Sequence, residues 1–459
     1  MPRACGIAAT ACMHAVYAVS KARVLLRVMA ALALIPSESL SGPAPVAAES
    51  WVAEYPRVAA AAERDCAGPQ LHDCRRDLLR VSELLDGRTD IIYRLAKIEA
   101  RLDHTDTSLA YLESYARSQL DFGDPVSALE FRAMRASRRF RELERTYRAG
   151  LAPRGTHVEL ATLPRADLVA DDIGVDPRSG SRFLSSVHAG TVLELDATGK
   201  WSTFAASADL AAWGIYALGV DPSRNCLWLS TVAGPVSPPY HEADQGRSAI
   251  LRVGLKSRTV EHKYELADGI AHAFGDLALG KQHEVYVADG VGGGVYRIGP
   301  EPGATLLPLV RPGAMRSPQT PVPIPGGTRL LVPDYSRGIA VVDLQRDGSV
   351  SWLPHPPELA LYGIDGLYLH GQTLIAVQNG TVPERLLLLR LDASLTKILH
   401  WEVALARTPG LGDPTHGVVR GNRFEFISNS GWDRVDDQGQ FKPSPTASNP
   451  ALWSIALPE

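Results

Sequence analysis

The chain has 459 residues, 45% of them hydrophobic and 21% charged, with a formal net charge of −4. That length predicts two to four domains of ~100–200 residues, and the composition is that of a globular chain able to bury a sizeable core. A near-neutral balance without long runs of one sign excludes nucleic acid, or an anionic membrane, as a partner found by charge.

Residues 1–48 differ from the rest. Lys21, Arg23 and Arg27 precede the apolar run VMAALALI, and SGPAPVAAES then offers small residues around Ala48. A basic stretch, a short apolar core and a Val-x-Ala site form the pattern of an export signal. The run is shorter than the ~20 residues of a spanning helix, although its distance from Ala48 leaves an uncleaved anchor open. The apolar stretch upstream leaves Met13 open as the start. The expectation is an exported protein, periplasmic or secreted, with no membrane contact beyond this segment. Cys66 and Cys74 flank AGPQLHD, a helix-to-helix turn, and are expected to close a disulfide in an oxidising compartment. Cys226, in an apolar run, belongs to the core, and the lack of a CxxC pair argues against structural zinc.

Residues 50–150 carry a helical period. Ile91, Leu95, Ile98 and Leu102 fall on one face, and Thr105 or Asp106 is placed to cap the helix that contains Leu109 and Leu112. This helix-turn-helix resembles a degenerate tetratricopeptide repeat. Ile92, Leu95, Ala96, Ser108 and Leu112 match its large and small positions, and Glu99 stands where its tyrosine belongs. DPVSALEFRAMRAS and RRFRELERTYRAG predict a further helical pair. Two roles stay open for this segment: a cap on the next domain, or a groove for a protein partner.

From residue 156 to 459 the period is two. DIGVDPRSGSRFLSSVHAGTVLELD and ALGVDPSRNCLWLSTVAGPV align, as do DLALGKQHEVYVADGVGGGVYRI, VPIPGGTRLLVPDYSRGIAVVDL, GIDGLYLHGQTLIAVQNG and GVVRGNRFEFISNSGWDR. Short strands recurring every ~40–50 residues predict a mainly β fold, a six-bladed β-propeller. HVELATL is placed to serve as the outer strand of the last blade, beside ALWSIAL. The second strands end at Ser186, Thr231, Asp289, Asp334, Asn379 and Asn429. Each of these closes a local turn, or the set rims a channel mouth where Asn379 and Asn429 meet a substrate. VAGPVSPPYHEADQGR expands the second unit and offers Tyr240 and His241 as lid residues, or a plain solvent loop. There is no GxSxG, HExxH or phosphate-binding loop.

YVADGVGGGVYRI, VPDYSRGIAVVDL and the GIDGLYLHGQTLIAVQNG stretch resemble the senescence-marker protein/gluconolactonase family, which includes luciferin-regenerating enzyme, and more broadly the NHL and strictosidine-synthase-like propellers. The likeness runs from about Asp171 to Leu457. It implies one divalent cation at the channel mouth. Asp365 matches the family's aspartate, Asp171 (or Asp172) stands at its glutamate and Gln319 at one asparagine. At the other asparagine stands Gly275, with Asp276 beside it. Two carboxylates and an amide oxygen suit calcium better than zinc. Asp365 would also serve as general base, with His272 and His416 as proton shuttles or as ordinary turn histidines. The function so implied is a metal-dependent lactone or ester hydrolase acting on a small molecule at the mouth. The alternative is a non-catalytic binding or scaffold propeller.

Overall fold

The computed structural model describes residues 50–346 and 348–458, so the expected export signal lies outside the described residues. Helices α1 (Trp51–Ala67), α2 (Leu71–Leu84), α3 (Thr89–Arg101), α4 (Thr105–Arg117) and α5 (Arg138–Gly150) lead the chain. The stripe Ile91, Leu95 and Ile98 packs on Leu78, Val81 and Leu84, while Tyr93 and Ala96, on another face of α3, meet Leu112, Tyr115 and Phe140. Glu99 is fully buried, and its carboxylate is held by Arg75 Nε at 2.6 Å and His104 Nδ1 at 2.7 Å. A buried charge persists only with such partners. Two expectations need correcting. Helix α4 starts at Thr105 with no side-chain cap bond, because His104 occupies the cap position and turns its ring to Glu99. LEFRAM forms a 3-10 turn rather than an α-helix. Cys66 and Cys74 form a disulfide between α1 and α2, and Cys226 is buried and unbonded.

Among the described residues the rest forms six four-stranded antiparallel sheets. Blade 1 spans residues 170–206, blade 2 214–265, blade 3 274–310, blade 4 322–352 and blade 5 364–406. Blade 6 joins 417–456 to the strand Val158–Thr162, which pairs with Ala451–Ala456 and ties the chain's two ends of the ring together. Every neighbouring pair of blades shares a buried apolar cluster. The seam that closes the ring is made by Ile173 and Leu184 of blade 1 against Ile427 and Leu452 of blade 6. Each such side chain contributes ~1.5–3 kcal/mol when removed from water, so a closed ring is favoured over an open row with two wet faces. This is a six-bladed β-propeller.

The inner strands begin on one face of the ring, the mouth face, and end at the opposite rim. The helices lie on the mouth face beside blades 4 and 5. Trp51 packs edge-on against Trp352, His355 Nε2 meets Asp86 Oδ2 at 3.0 Å, and Arg88 stacks over Tyr362. Arg385, fully buried, donates to Gln378 Oε1 and to the Ser118 carbonyl at 2.8 Å, and burial pushes its pKa down to about 10.

Candidate functional site

Four inner strands shift register where they enter the ring: between Ala170 and Ile173, Ile215 and Leu218, Phe274 and Asp276, and Ile364 and Gly366. A bulge re-aims side chains that simple alternation would send between blades, and Asp171, Asp172, Gly275 and Asp365 sit in these bulges. The two adjacent aspartates consequently part company. Asp171 Oδ1 accepts the indole N–H of Trp432 at 2.8 Å. Asp172 lines the axial channel and accepts the Ile173 N–H at 2.7 Å and the Leu218 N–H of blade 2 at 2.8 Å.

The mouth is sealed. Residues 429–450 leave blade 6 and cross the ring, and Gly431, in a left-handed conformation at φ 95°, delivers Trp432 inward. Trp432 is fully buried among Val169, Val187, Tyr216, Val232 and Ala273, with Val435 and Phe441 beside it. Under this cover Asp171, Asp276, Gln319, Asp365 and Asn379 are all buried. Asp365 Oδ2 accepts Asn379 Nδ2 at 2.9 Å, and the Gln319 amide nitrogen lies 3.0 Å from Ser317 Oγ. Five of the six second-strand ends act within their own blade or loop, whereas Asn379 bridges blades, accepting the Tyr335 hydroxyl at 3.0 Å and donating to the Pro414 carbonyl at 3.0 Å. The Trp213 N–H donates to Thr231, the Ala273 N–H to Asp289, and the Arg316 and Ser317 N–H groups to Asp334, while Ser186 donates to the Leu168 carbonyl. Half-buried Asn429 donates to the Ser448 and Asn449 carbonyls within its own loop. Tyr240 borders a small cavity of about 40 Å³ under the blade 2 insertion, and His241 is exposed. A shallow hollow of about 670 Å³ lies between residues 245–248 and 265–272, outside the channel.

The implied cation does not fit this arrangement. Among the described residues no three His, Cys, Asp or Glu side chains are placed to hold a metal ion. Asp171 and Asp365 direct oxygens to an indole and an amide, and an apolar plug covers them. His272 is held between Asp289 at 2.6 Å and Asp268 at 3.0 Å; burial alone would lower its pKa, but these two carboxylates outweigh burial and raise it.

Below the plug lies a chamber of about 550 Å³, lined at its inner end by Asp172, Thr320, Tyr368 and His416. His416 Nδ1 lies 3.1 Å from the Asp171 carbonyl, which can only accept, so Nδ1 carries a proton; its Nε2 faces the Asp276 carboxylate. The Thr320 hydroxyl stands 3.0 Å from the Asp365 carbonyl and 3.3 Å from Asp276 Oδ1. Tyr368 Oη accepts the Gly417 N–H at 2.8 Å, which turns its own proton elsewhere. Burial pushes the Asp172 pKa up to about 7, against the His416 charge and two backbone N–H bonds that pull it down. Burial likewise raises Tyr368, so its proton stays on.

Sequence reasoning missed Thr320, Tyr368 and Trp432. The first two lie one and three positions from residues it chose, Gln319 and Asp365. Trp432 stands in the quoted SNSGWDR without a period to say which way it points. A second missed feature is a pair of acids beside the plug, buried Asp413 and partly buried Glu384. The Asp413 N–H donates to Glu384 Oε2 at 2.7 Å, and Asp413 Oδ2 is buried with no hydrogen-bond partner. Burial raises both, Glu384 to about 7, and the Glu384 charge raises Asp413 further.

No protein-family model matches the chain, and no curated protein matches it in sequence. Among solved structures, a gluconolactonase from Xanthomonas campestris matches at 15% identity and TM-score 0.44, over 67% of this chain and 95% of that one. A luciferin-regenerating enzyme matches at 9% identity and TM-score 0.45, over 66% and 95%. A virginiamycin B lyase from Staphylococcus aureus matches at 12% identity and TM-score 0.41, over 65% and 99%. Likenesses of this size carry no statement about activity.

Proposed function

We propose that the protein hydrolyses small lactones or esters at the inner end of the axial chamber. The observation that supports this is the convergence of Asp172, Tyr368, Thr320 and His416 at the closed end of a cavity open to solvent at the other. In this reading Asp172 takes a proton from water as the hydroxide adds to the carbonyl carbon. The Tyr368 O–H donates to the oxygen that gains charge, and the proton passes from Asp172 to the departing alkoxide. A base whose pKa lies near neutrality is well matched to that exchange, and a preset donor favours the charged intermediate. The His416–Asp276 pair is a positioning element: it sets charge beside Asp172 without reaching the substrate. Calcium enters none of these steps: Asp171 and Asp365 each turn an oxygen to Trp432 or Asn379, and Gln319 turns its amide nitrogen to Ser317.

The setting proposed is an oxidising, exported one, a reading supported by the Cys66–Cys74 disulfide. No helix among the described residues is long and apolar enough to cross a membrane.

The test is a panel of lactones and aryl esters with purified protein. Asp172→Asn is expected to lower kcat/KM by about 100-fold or more at neutral pH, and Tyr368→Phe by a smaller factor, with near-native circular dichroism for both. Absence of turnover across the panel, or unchanged turnover in both folded variants, overturns the proposal.

A further inference from the structure

The chamber that ends at Asp172 runs towards the rim opposite the mouth, and its lining changes along the way. Asp172, Thr320 and His416 at the inner end are buried. Val175, Val220 and Leu279 further out are partly exposed, and Lys281, Pro325 and Gly371 at the rim are exposed. Apart from Asp172 and His416 at one end and Lys281 at the other, no charged side chain lines it. The walls between carry partly exposed aliphatic side chains, Val175, Val220, Leu279, Leu369 and Val419 among them, while Ile173, Leu218, Leu277 and Leu367 are buried between blades. On the mouth side Trp432 and its neighbours close the ring.

From these observations we infer that the substrate is a lactone or ester bearing an unbranched apolar chain, which enters from the rim opposite the mouth and lies along the channel axis. The inference rests on the proposed hydrolase for the reacting group but on the chamber alone for the chain. The volume falls within the ~300–1,000 Å³ of ordinary small-molecule sites. From Asp172 to Val175 the inner strand advances three residues, roughly 10 Å at ~3.3 Å each. A saturated chain with C–C bonds of ~1.5 Å and near-tetrahedral angles covers that length with about eight carbons. A short polar lactone would reach the inner end while leaving the aliphatic walls wet, whereas a chain of this length removes them from water. Lys281, at the rim, meets any carboxylate or headgroup at the far end of the chain.

The test separates binding from turnover. An apolar fluorescent probe, 1-aminoanthracene, is bound to the full-length Asp172→Asn protein and displaced by unbranched primary alcohols of rising length. Burying each added methylene is expected to tighten displacement about three- to fourfold, with a plateau near eight carbons. Ala278→Phe, which puts a ring on the chamber wall, is expected to move the plateau to shorter chains and to weaken the longest by tenfold or more. Indifference to chain length, or an Ala278→Phe protein indistinguishable from its parent, overturns the inference. So does a Trp432→Ala protein that gains affinity while Ala278→Phe changes nothing, since access would then run through the mouth. Chain-dependent displacement without any hydrolysis would sink the hydrolase and leave this site standing. Hydrolysis of short polar lactones without chain dependence would do the reverse.

Discussion

The two ends of the channel are built from opposite materials. The mouth buries Asp171, Asp365 and Asp413 under Trp432, with partly buried Glu384 beside them, while the opposite end is an aliphatic tube open at its rim. A ring of acids is the feature that draws attention in a sequence, yet burial here holds Glu384 and Asp413 protonated at pH values where free carboxylates ionise. Density of polar residues is therefore a poor guide to what solvent can reach. Access decides, and access is set by one loop.

Trp432 is the sharpest place to break the contrast. Trp432→Ala removes a fully buried indole from the plug and the donor to Asp171, at an expected cost of about 3–5 kcal/mol, read as a fall of several degrees in Tm. Trp432→Phe keeps most of the packing and forfeits the hydrogen bond, for roughly 1–2 kcal/mol. A melting temperature unmoved by the alanine variant would mean the mouth is not sealed in solution.

The disulfide tests the cover from the helical side. Cys66 and Cys74 stand eight positions apart, and replacing both with serine is expected to cost about 2–3 kcal/mol through the regained freedom of the unfolded chain. The loss should appear first in the helical circular dichroism signal, with the propeller melting little changed. One cooperative transition shifted as a whole would instead show that the helices and blades 4 and 5 fold as a unit.

Much of the ring was legible because closure leaves marks that are local. HVELATL and ALWSIAL alternate with matching period and pair as the outer strands of blade 6, and Asp289 and Asp334 sit where short acceptors tether the segment entering their blades. The site was harder for a specific reason. Bulges at three inner strands break the alternation where Asp171, Asp172, Gly275 and Asp365 lie, so Asp171 and Asp172 look equivalent in sequence and face different spaces in the fold. The plug was illegible because residues 429–450 follow neither period, and an aromatic in such a loop carries no direction. The Tyr368–Gly417 bond joins blades 5 and 6, a contact that no short-range pattern records.

A smaller effect is expected from pH, and its sign distinguishes buried acids from paired ones. Glu384 and Asp172 each have folded pKa values of about 7, above their ordinary values near 4, chiefly through burial. Between those limits the folded protein holds protons that the unfolded chain has released, so the contribution of each group to stability is complete below about pH 4 and is lost as pH rises to 7. The slope is on the order of 1 kcal/mol per pH unit for each group. Tm should therefore fall between pH 5 and 7, and Glu384→Gln should flatten the curve. A rise in Tm over that interval would mean these carboxylates are held as anions by partners.

Calcium should produce the smallest effect of all. A cation that binds the folded protein at a hundred times its Kd stabilises it by ~2.7 kcal/mol, which a melting curve resolves with ease. None is expected in millimolar calcium against chelator, because a calcium ion seeks ~6–8 oxygens, whereas Asp171, Asp365 and Glu384 each turn an oxygen to Trp432, Asn379 or a backbone N–H and an apolar plug covers the mouth. A calcium-dependent rise in Tm that Asp365→Asn abolishes would reverse the contrast between the two ends. It would mean that the plug moves aside for an ion and that the mouth, not the aliphatic tube, is where a substrate meets charge.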